Sequence, residues 1–281
     1  MHVSSTLVIS LFIYLLGLLL IGIISGRKNK NASDYLVGSK SLPTWIIILT
    51  LTATMFGGGM MVGRAQLGYN GGMLYFFYGL NTFIGYIFTA MMIKKMRGFS
   101  QYTTVTEFLE HRYGGKFIRT SCTLLSLIAL VGLTATQVNS LVAILTVMGF
   151  GNPIVIAFFC MLIIVALTVF GGFLAVTTTD AVQIVIVMVG VALLTVTTLG
   201  ENGGLGNIIE RLQVVQSQGN IPDDYLQFFS SGSIISILAM MIPATMYTLI
   251  GQDGYQRLFA CRNLRESRKA AIIGGRNPPR W

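Results

Sequence analysis

The segment from Thr44 to Tyr69, TWIIILTLTATMFGGGMMVGRAQLGY, is long and apolar enough to cross a bilayer, yet Gly57, Gly58 and Gly59 occupy its middle. Each glycine weakens a helix by about 1 kcal/mol relative to alanine. Backbone groups freed at membrane depth are tolerated only where they face protein or a polar cavity. Two readings follow. The glycines let a neighbouring helix approach closely, or they interrupt the helix and turn backbone carbonyls and amides toward a ligand.

The rest of the chain sets this segment in a membrane. Of 281 residues, 53% are hydrophobic and 10% charged, against about 25% charged in soluble domains. The apolar runs are continuous rather than alternating, which indicates helices and excludes a β-barrel reading. Seven spans are expected, at about 6–25, 44–66, 73–93, 117–148, 154–170, 175–199 and 234–249. The fourth exceeds the ~20 residues a crossing needs, so it is expected to tilt or extend beyond the bilayer. Gly171-Gly172 is expected to turn the chain between spans five and six. Pro243 removes a helix hydrogen bond and Gly251 follows it, so span seven is a candidate second interrupted helix. Thr103 to Tyr113 is expected to form a short amphipathic helix, and residues 200–231 a polar external loop. The first apolar run is too long for a typical signal peptide and lacks a basic start, so it is read as a span.

The net charge of +9 is not a nucleic-acid footprint, because Lys and Arg concentrate in segments 26–43, 94–119 and 252–269. With alternating spans these lie on one side, which places the amino terminus outside the plasma membrane. Residues 1–271 read as one membrane domain, and 272–281 (IIGGRNPPRW) as an atypical tail that replaces the start of a further span. The expectation is a chain that is the amino-terminal part of a longer protein, with an ordinary polar tail as the alternative.

No nucleophile triad, phosphate loop or metal-ligand spacing is visible among Cys122, Cys160, Cys261, His2 and His111, so an enzyme is not expected. Asp180 is the one carboxylate within an apolar run, in GGFLAVTTTDAVQ. Intramembrane charges usually mark a function or an ion path, and Thr177, Thr178 and Thr179 beside it add hydroxyl oxygens. The alternative is an interfacial aspartate solvated from the cytoplasm or bonded to a neighbouring helix end. Gln137 and Asn139 lie mid-span and must find partners, either on other helices or on a solute. Arg64 is read as snorkelling to the outer interface, with an anionic solute as the other option. The Met residues read as packing and lipid contact.

TATMFGGGMMVG, GGFLAVTTTDAVQ and YQRLFACRN, in this order and at these separations, resemble the sodium:solute symporter family. The resemblance covers the chain to about Ala271 and implies an all-α integral membrane protein with a broken-helix inverted-repeat transporter fold. Span one would be an extra leading helix, spans two to six a complete first repeat, and span seven the opening of a truncated second repeat. It implies sodium-coupled symport of a small organic solute, with sodium as the coupling ion and no other cofactor. The implied sodium ligands are the carbonyls of Ala53 and Phe56, with Asp180 and Thr179 at the intracellular ion path. The implied solute-binding positions are Gly57, Gly58, Gln137, Tyr247 and Gln252.

The solute is left open by departures from the family pattern. Some proline-transporting relatives carry a carboxylate where Met55 stands, and sugar-transporting relatives a stacking aromatic where Thr248 stands. The TAT-x-x-GGG pattern is similar to the choline-type branch, but an aromatic cage would have only Phe56 at the break. A solute-sensing membrane module and a non-functional remnant are the alternative expectations. The partners expected are sodium, a small organic solute and the bilayer.

Overall fold

The computed structural model describes residues 5–27, 31–38, 42–95, 101–229, 233–261 and 264–275. The basic residues Lys28, Lys30, Lys40, Arg97 and Arg262 and the tail beyond 275 lie outside them. Helices dominate the chain: α1 (Ser5–Gly26), α2 (Ala32–Val37), α3 (Thr44–Met55), α4 (Gly58–Gly71), α5 (Phe76–Lys95), α6 (Val105–Tyr113), α7 (Lys116–Val147), α8 (Pro153–Glu201), α9 (Leu205–Ser217), α10 (Ser233–Ile250), α11 (Gln252–Phe259) and α12 (Leu264–Gly275). Among the described residues, the isolated bridge between Leu42 and Cys261 is the β pairing present.

Five stretches are long and apolar enough to cross a membrane: Val8–Gly26, Gly58–Lys95, Lys116–Val147, Pro153–Glu201 and Ile234–Phe259. Gly58–Lys95 holds α4 and α5 in succession, joined through Gly72. Their side chains are not those of a soluble core. Phe12, Leu125, Val131, Phe158, Val165, Leu194 and Ile235 all stand exposed, as apolar residues facing lipid do.

Span five and span six share one helical run of 49 residues, about 74 Å at 1.5 Å per residue. That is more than twice the hydrocarbon thickness. Gly172, at φ 63° and ψ −166°, divides it into two arms, and this is the turn expected at Gly171-Gly172. Glycine is required because side-chain-bearing residues rarely adopt that φ. The end of α1 closes on the same corner: a Cβ at Gly26 would lie 2.5 Å from the Phe170 carbonyl oxygen.

One feature differs from the sequence expectations. The loop 200–231 contains the helix α9, whose apolar residues Leu205, Ile208, Ile209, Leu212 and Val215 recur at helical spacing. The Arg64 guanidinium turns onto α5, 5.6 Å from the centroid of Tyr78 and 3.3 Å from the Thr82 hydroxyl.

The packed core lies toward the basic end of the bundle. Ile47 and Leu51 of α3, Tyr86, Ala90 and Ile93 of α5, Tyr255, Leu258 and Phe259 of α11, and Ala270 and Ala271 of α12 are all buried together. The core therefore clamps α3 and α11, one half of each glycine-interrupted span. At its edge α6 begins with a reciprocal cap. The Thr104 hydroxyl accepts from the Glu107 N–H at 3.2 Å, and the Glu107 carboxylate accepts from the Thr103 N–H at 2.9 Å, a capping-box arrangement.

Candidate functional site: two helix breaks and a buried ion pair

The first break falls between Met55 and Gly58. Phe56 leaves helical geometry at φ −107° and ψ 22°, and Gly57 is extended at φ −60° and ψ 153°. The Ala53 carbonyl accepts the Phe56 N–H at 3.0 Å, so α3 ends in a tightened turn. Met61 N–H reaches back to the Gly57 carbonyl at 3.0 Å and starts α4. Two helices thus point their ends at one spot: the carbonyl end of α3 and the N–H end of α4, with opposite partial charges.

Gln137 of α7 lies against this spot. Its Oε1 accepts the Gly59 N–H at 2.9 Å, one of the donors that a helix start leaves without an internal partner. A Cβ on Gly57 would lie 2.6 Å from the Gln137 amide nitrogen, and one on Gly59 3.0 Å from the Thr136 hydroxyl. Both sequence readings of the glycines are therefore realised at once. They break the helix, and they admit α7 to close range. Asn139, on another face of α7, is exposed.

The second break is at Gly251, extended at φ −62° and ψ 119° between α10 and α11. Pro243 lies inside α10 without ending it, so the glycine rather than the proline makes the interruption. The Tyr247 carbonyl accepts the Gly251 N–H at 2.7 Å. The Tyr247 hydroxyl is buried beside the Asp253 carboxylate without closing a well-aligned hydrogen bond to it, and the Tyr86 hydroxyl is buried unpartnered in the same neighbourhood. Gln252 is turned away from this cluster: its Oε1 accepts the Val105 N–H at 2.9 Å and ties α11 to the start of α6.

Asp180 connects the inner halves of the two broken spans. Its Oδ2 accepts from the Thr50 hydroxyl of α3 and, at 2.9 Å, from Nη2 of Arg257 on α11. Arg257 Nε donates to the same Thr50 hydroxyl at 2.8 Å, and Nη1 to the Asp253 carbonyl, also at 2.9 Å. The side chains of Arg257 and Asp180 are 12% and 17% exposed, so the pair is held in a largely desolvated setting. Its bonds to α3 and α11 fit the reading of Asp180 as a carboxylate tied to neighbouring helices. The neighbouring Thr179 hydroxyl bonds back to the Ala175 and Val176 carbonyls of its own helix.

Sequence reading singled out Asp180, Gln137 and the first break; Gln137 meets the break and Asp180 meets Thr50 and Arg257, two residues that reading missed. Arg257 was counted with the loop charges. Its signal was present in the helical spacing of Asp253 and Arg257 opposite the buried Tyr255, Leu258 and Phe259.

Helices long and apolar enough to cross a membrane, with two spans broken at glycine and joined by a largely shielded ion pair, make a multi-pass membrane-protein architecture. The model of the sodium:solute symporter family matches residues 35–276, and the chain belongs to that family. It is 26% identical to the osmoregulated proline transporter OpuE of Bacillus subtilis (strain 168), over 96% of this chain and 55% of that protein. It is 32% identical to the high-affinity choline transporter 1 of Caenorhabditis elegans, over 64% of this chain and 33% of that protein. In three dimensions it resembles the substrate-bound outward-open state of a Na+-coupled sialic acid symporter. The TM-score is 0.77 at 20% identity, covering 95% of this chain and 55% of that one. The chain spans about half the length of proline transporters it matches.

Proposed function

We propose that this chain forms the first repeat and the opening broken helix of a sodium-coupled symporter for a small organic solute. The observation that carries the reading is the Asp180 bridge, which locks α3 and α11, the inner halves of two interrupted helices, to the second arm of α8. Transporters place ions and solutes at such interruptions. Sodium sits at the carbonyl end of α3, using Ala53 and Phe56, and moves inward past Thr179 and Asp180. The solute contacts the backbone at Gly57 and Gly58, the Gln137 amide and the Tyr247 hydroxyl. The Gln252 amide, engaged with Val105, supports α6 and contacts solute only if that bond opens. Sodium at the break favours an outward-open arrangement and completes the solute site, so the sodium gradient biases the rocking of the bundle. In this arrangement α3 to α8 make the complete repeat, the amino terminus is outside, and the basic segments face the cytoplasm.

The test is uptake of labelled proline, choline and glucose into proteoliposomes under an inward sodium gradient and, separately, an inward potassium gradient. The chain is used alone and together with a separately expressed second half of a full-length relative. Faster uptake in sodium for either preparation supports the proposal. Equal uptake in both gradients, in both preparations, removes sodium coupling.

A further inference from the structure

Arg64 is a charge without a counter-charge. Among the described residues the ion pairs are Arg119 with Glu110 and Arg257 with Asp180. The Arg64 guanidinium instead lies over the Tyr78 ring and makes one long bond, Nη2 to the Thr82 hydroxyl at 3.3 Å. Its Nε is buried with no hydrogen-bond partner. The Thr82 hydroxyl donates onward to the Asn81 side-chain oxygen at 2.9 Å. Asn81 is 1% exposed, and its amide nitrogen is also buried without a partner. Two bare donors, one of them charged, therefore stand at the ends of a single hydrogen-bonded chain between α4 and α5.

The local chemistry is one-sided. The acceptors present, Thr82 Oγ1 and Asn81 Oδ1, are each engaged, while Arg64 Nε and Asn81 Nδ2 remain. Buried polar groups in native proteins are nearly always satisfied, and an unpaired buried charge is strongly unfavourable. What satisfies two N–H donors and a positive charge together is an anion.

We propose that Arg64 and Asn81 form an anion site in the outer half of the bundle, taking a small monovalent anion: a free halide or the carboxylate of an amphoteric solute. The site lies about 10 Å of helix rise beyond the Gly57 break, on the face of α4 that meets α5. It is separate from the sodium and solute positions proposed above and does not depend on coupled transport.

The experiment reads binding through thermal unfolding of the purified chain in detergent micelles, at fixed sodium and ionic strength. Chloride replaces gluconate in one arm. In the second, in gluconate, proline is compared with pyrrolidine, which lacks the carboxylate. A saturable rise in Tm with chloride identifies a halide site. A rise with proline but not pyrrolidine identifies a solute carboxylate. Either rise is lost in Arg64→Gln. Asn81→Asp places a carboxylate on the hydrogen-bonded chain that reaches Arg64 through Thr82 and is expected to melt higher than the wild type in gluconate, with no further response to either anion. It guards against misfolding of Arg64→Gln, since it adds the missing charge rather than removing its partner. No shift in either arm, or an equal shift in both variants, overturns the site. Because no gradient is involved, failure here leaves the symport reading untouched, and failure of sodium coupling leaves this site standing.

Discussion

Replacing Asp180 by Asn removes one charge from a closed set of three groups: the carboxylate, the Arg257 guanidinium and the Thr50 hydroxyl. Both members of the ion pair are more than four-fifths shielded, so water does not compensate the arginine left behind. Removing one partner of a buried pair costs about 3–5 kcal/mol. Asparagine keeps an acceptor oxygen, and a hydrogen bond returns about 1 kcal/mol. The expected loss is therefore roughly 2–4 kcal/mol for Asp180→Asn and about 3–5 kcal/mol for Asp180→Ala. The assay is equilibrium unfolding in mixed micelles, run as a double-mutant cycle with Arg257→Gln. Once both charges are gone, neither is stranded, so the double variant should be no less stable than either single one. A coupling at least as large as the bigger single loss is therefore expected, roughly 2–4 kcal/mol for the Asp180→Asn cycle. Asp223→Asn, on the exposed external segment, is the control and should change stability by less than about 0.5 kcal/mol. Additive single losses, or a loss below about 1 kcal/mol for Asp180→Ala, would refute the reasoning that this pair staples the inner halves of the broken spans.

Other outcomes follow from close approaches and caps. Gln137→Leu leaves the Gly59 N–H bare at the start of α4 and should cost about 1–3 kcal/mol, seen as faster hydrogen exchange at Gly59 and Met60. Gly85→Val drives a side chain into Thr248, whose Cβ would lie 2.6 Å from even the first added carbon. Separation of α5 from α10 should appear as a longer spin-label distance between them. Gly72→Ala combines a φ of 66° with a Cβ 2.0 Å from the Tyr225 carbonyl oxygen, so loss of folded protein on size-exclusion chromatography is expected. Thr104→Ala removes the cap of α6 and should cost about 1 kcal/mol in the same unfolding assay.

Local chemistry alone made much of this molecule legible. Hydropathy marked stretches that form helices long and apolar enough to cross a membrane, because lipid demands a continuous apolar surface, whatever the helices later pack against. The glycines at 57–59, 172 and 251 marked interruptions because backbone freedom is a property of the residue itself. Family motifs named the class. Tertiary structure decided which side chains meet. Thr50, Asp180 and Arg257 come together across separations of 130, 77 and 207 positions, and no periodicity encodes a contact at that range. It also sent Gln137 onto the Gly59 N–H and Gln252 onto α6, although the family resemblance implied solute contact for both. Arg64 came to rest on the Tyr78 face and the Thr82 hydroxyl of α5. Where a long polar side chain goes depends on what stands beside it, and only the packed helices supply that neighbour.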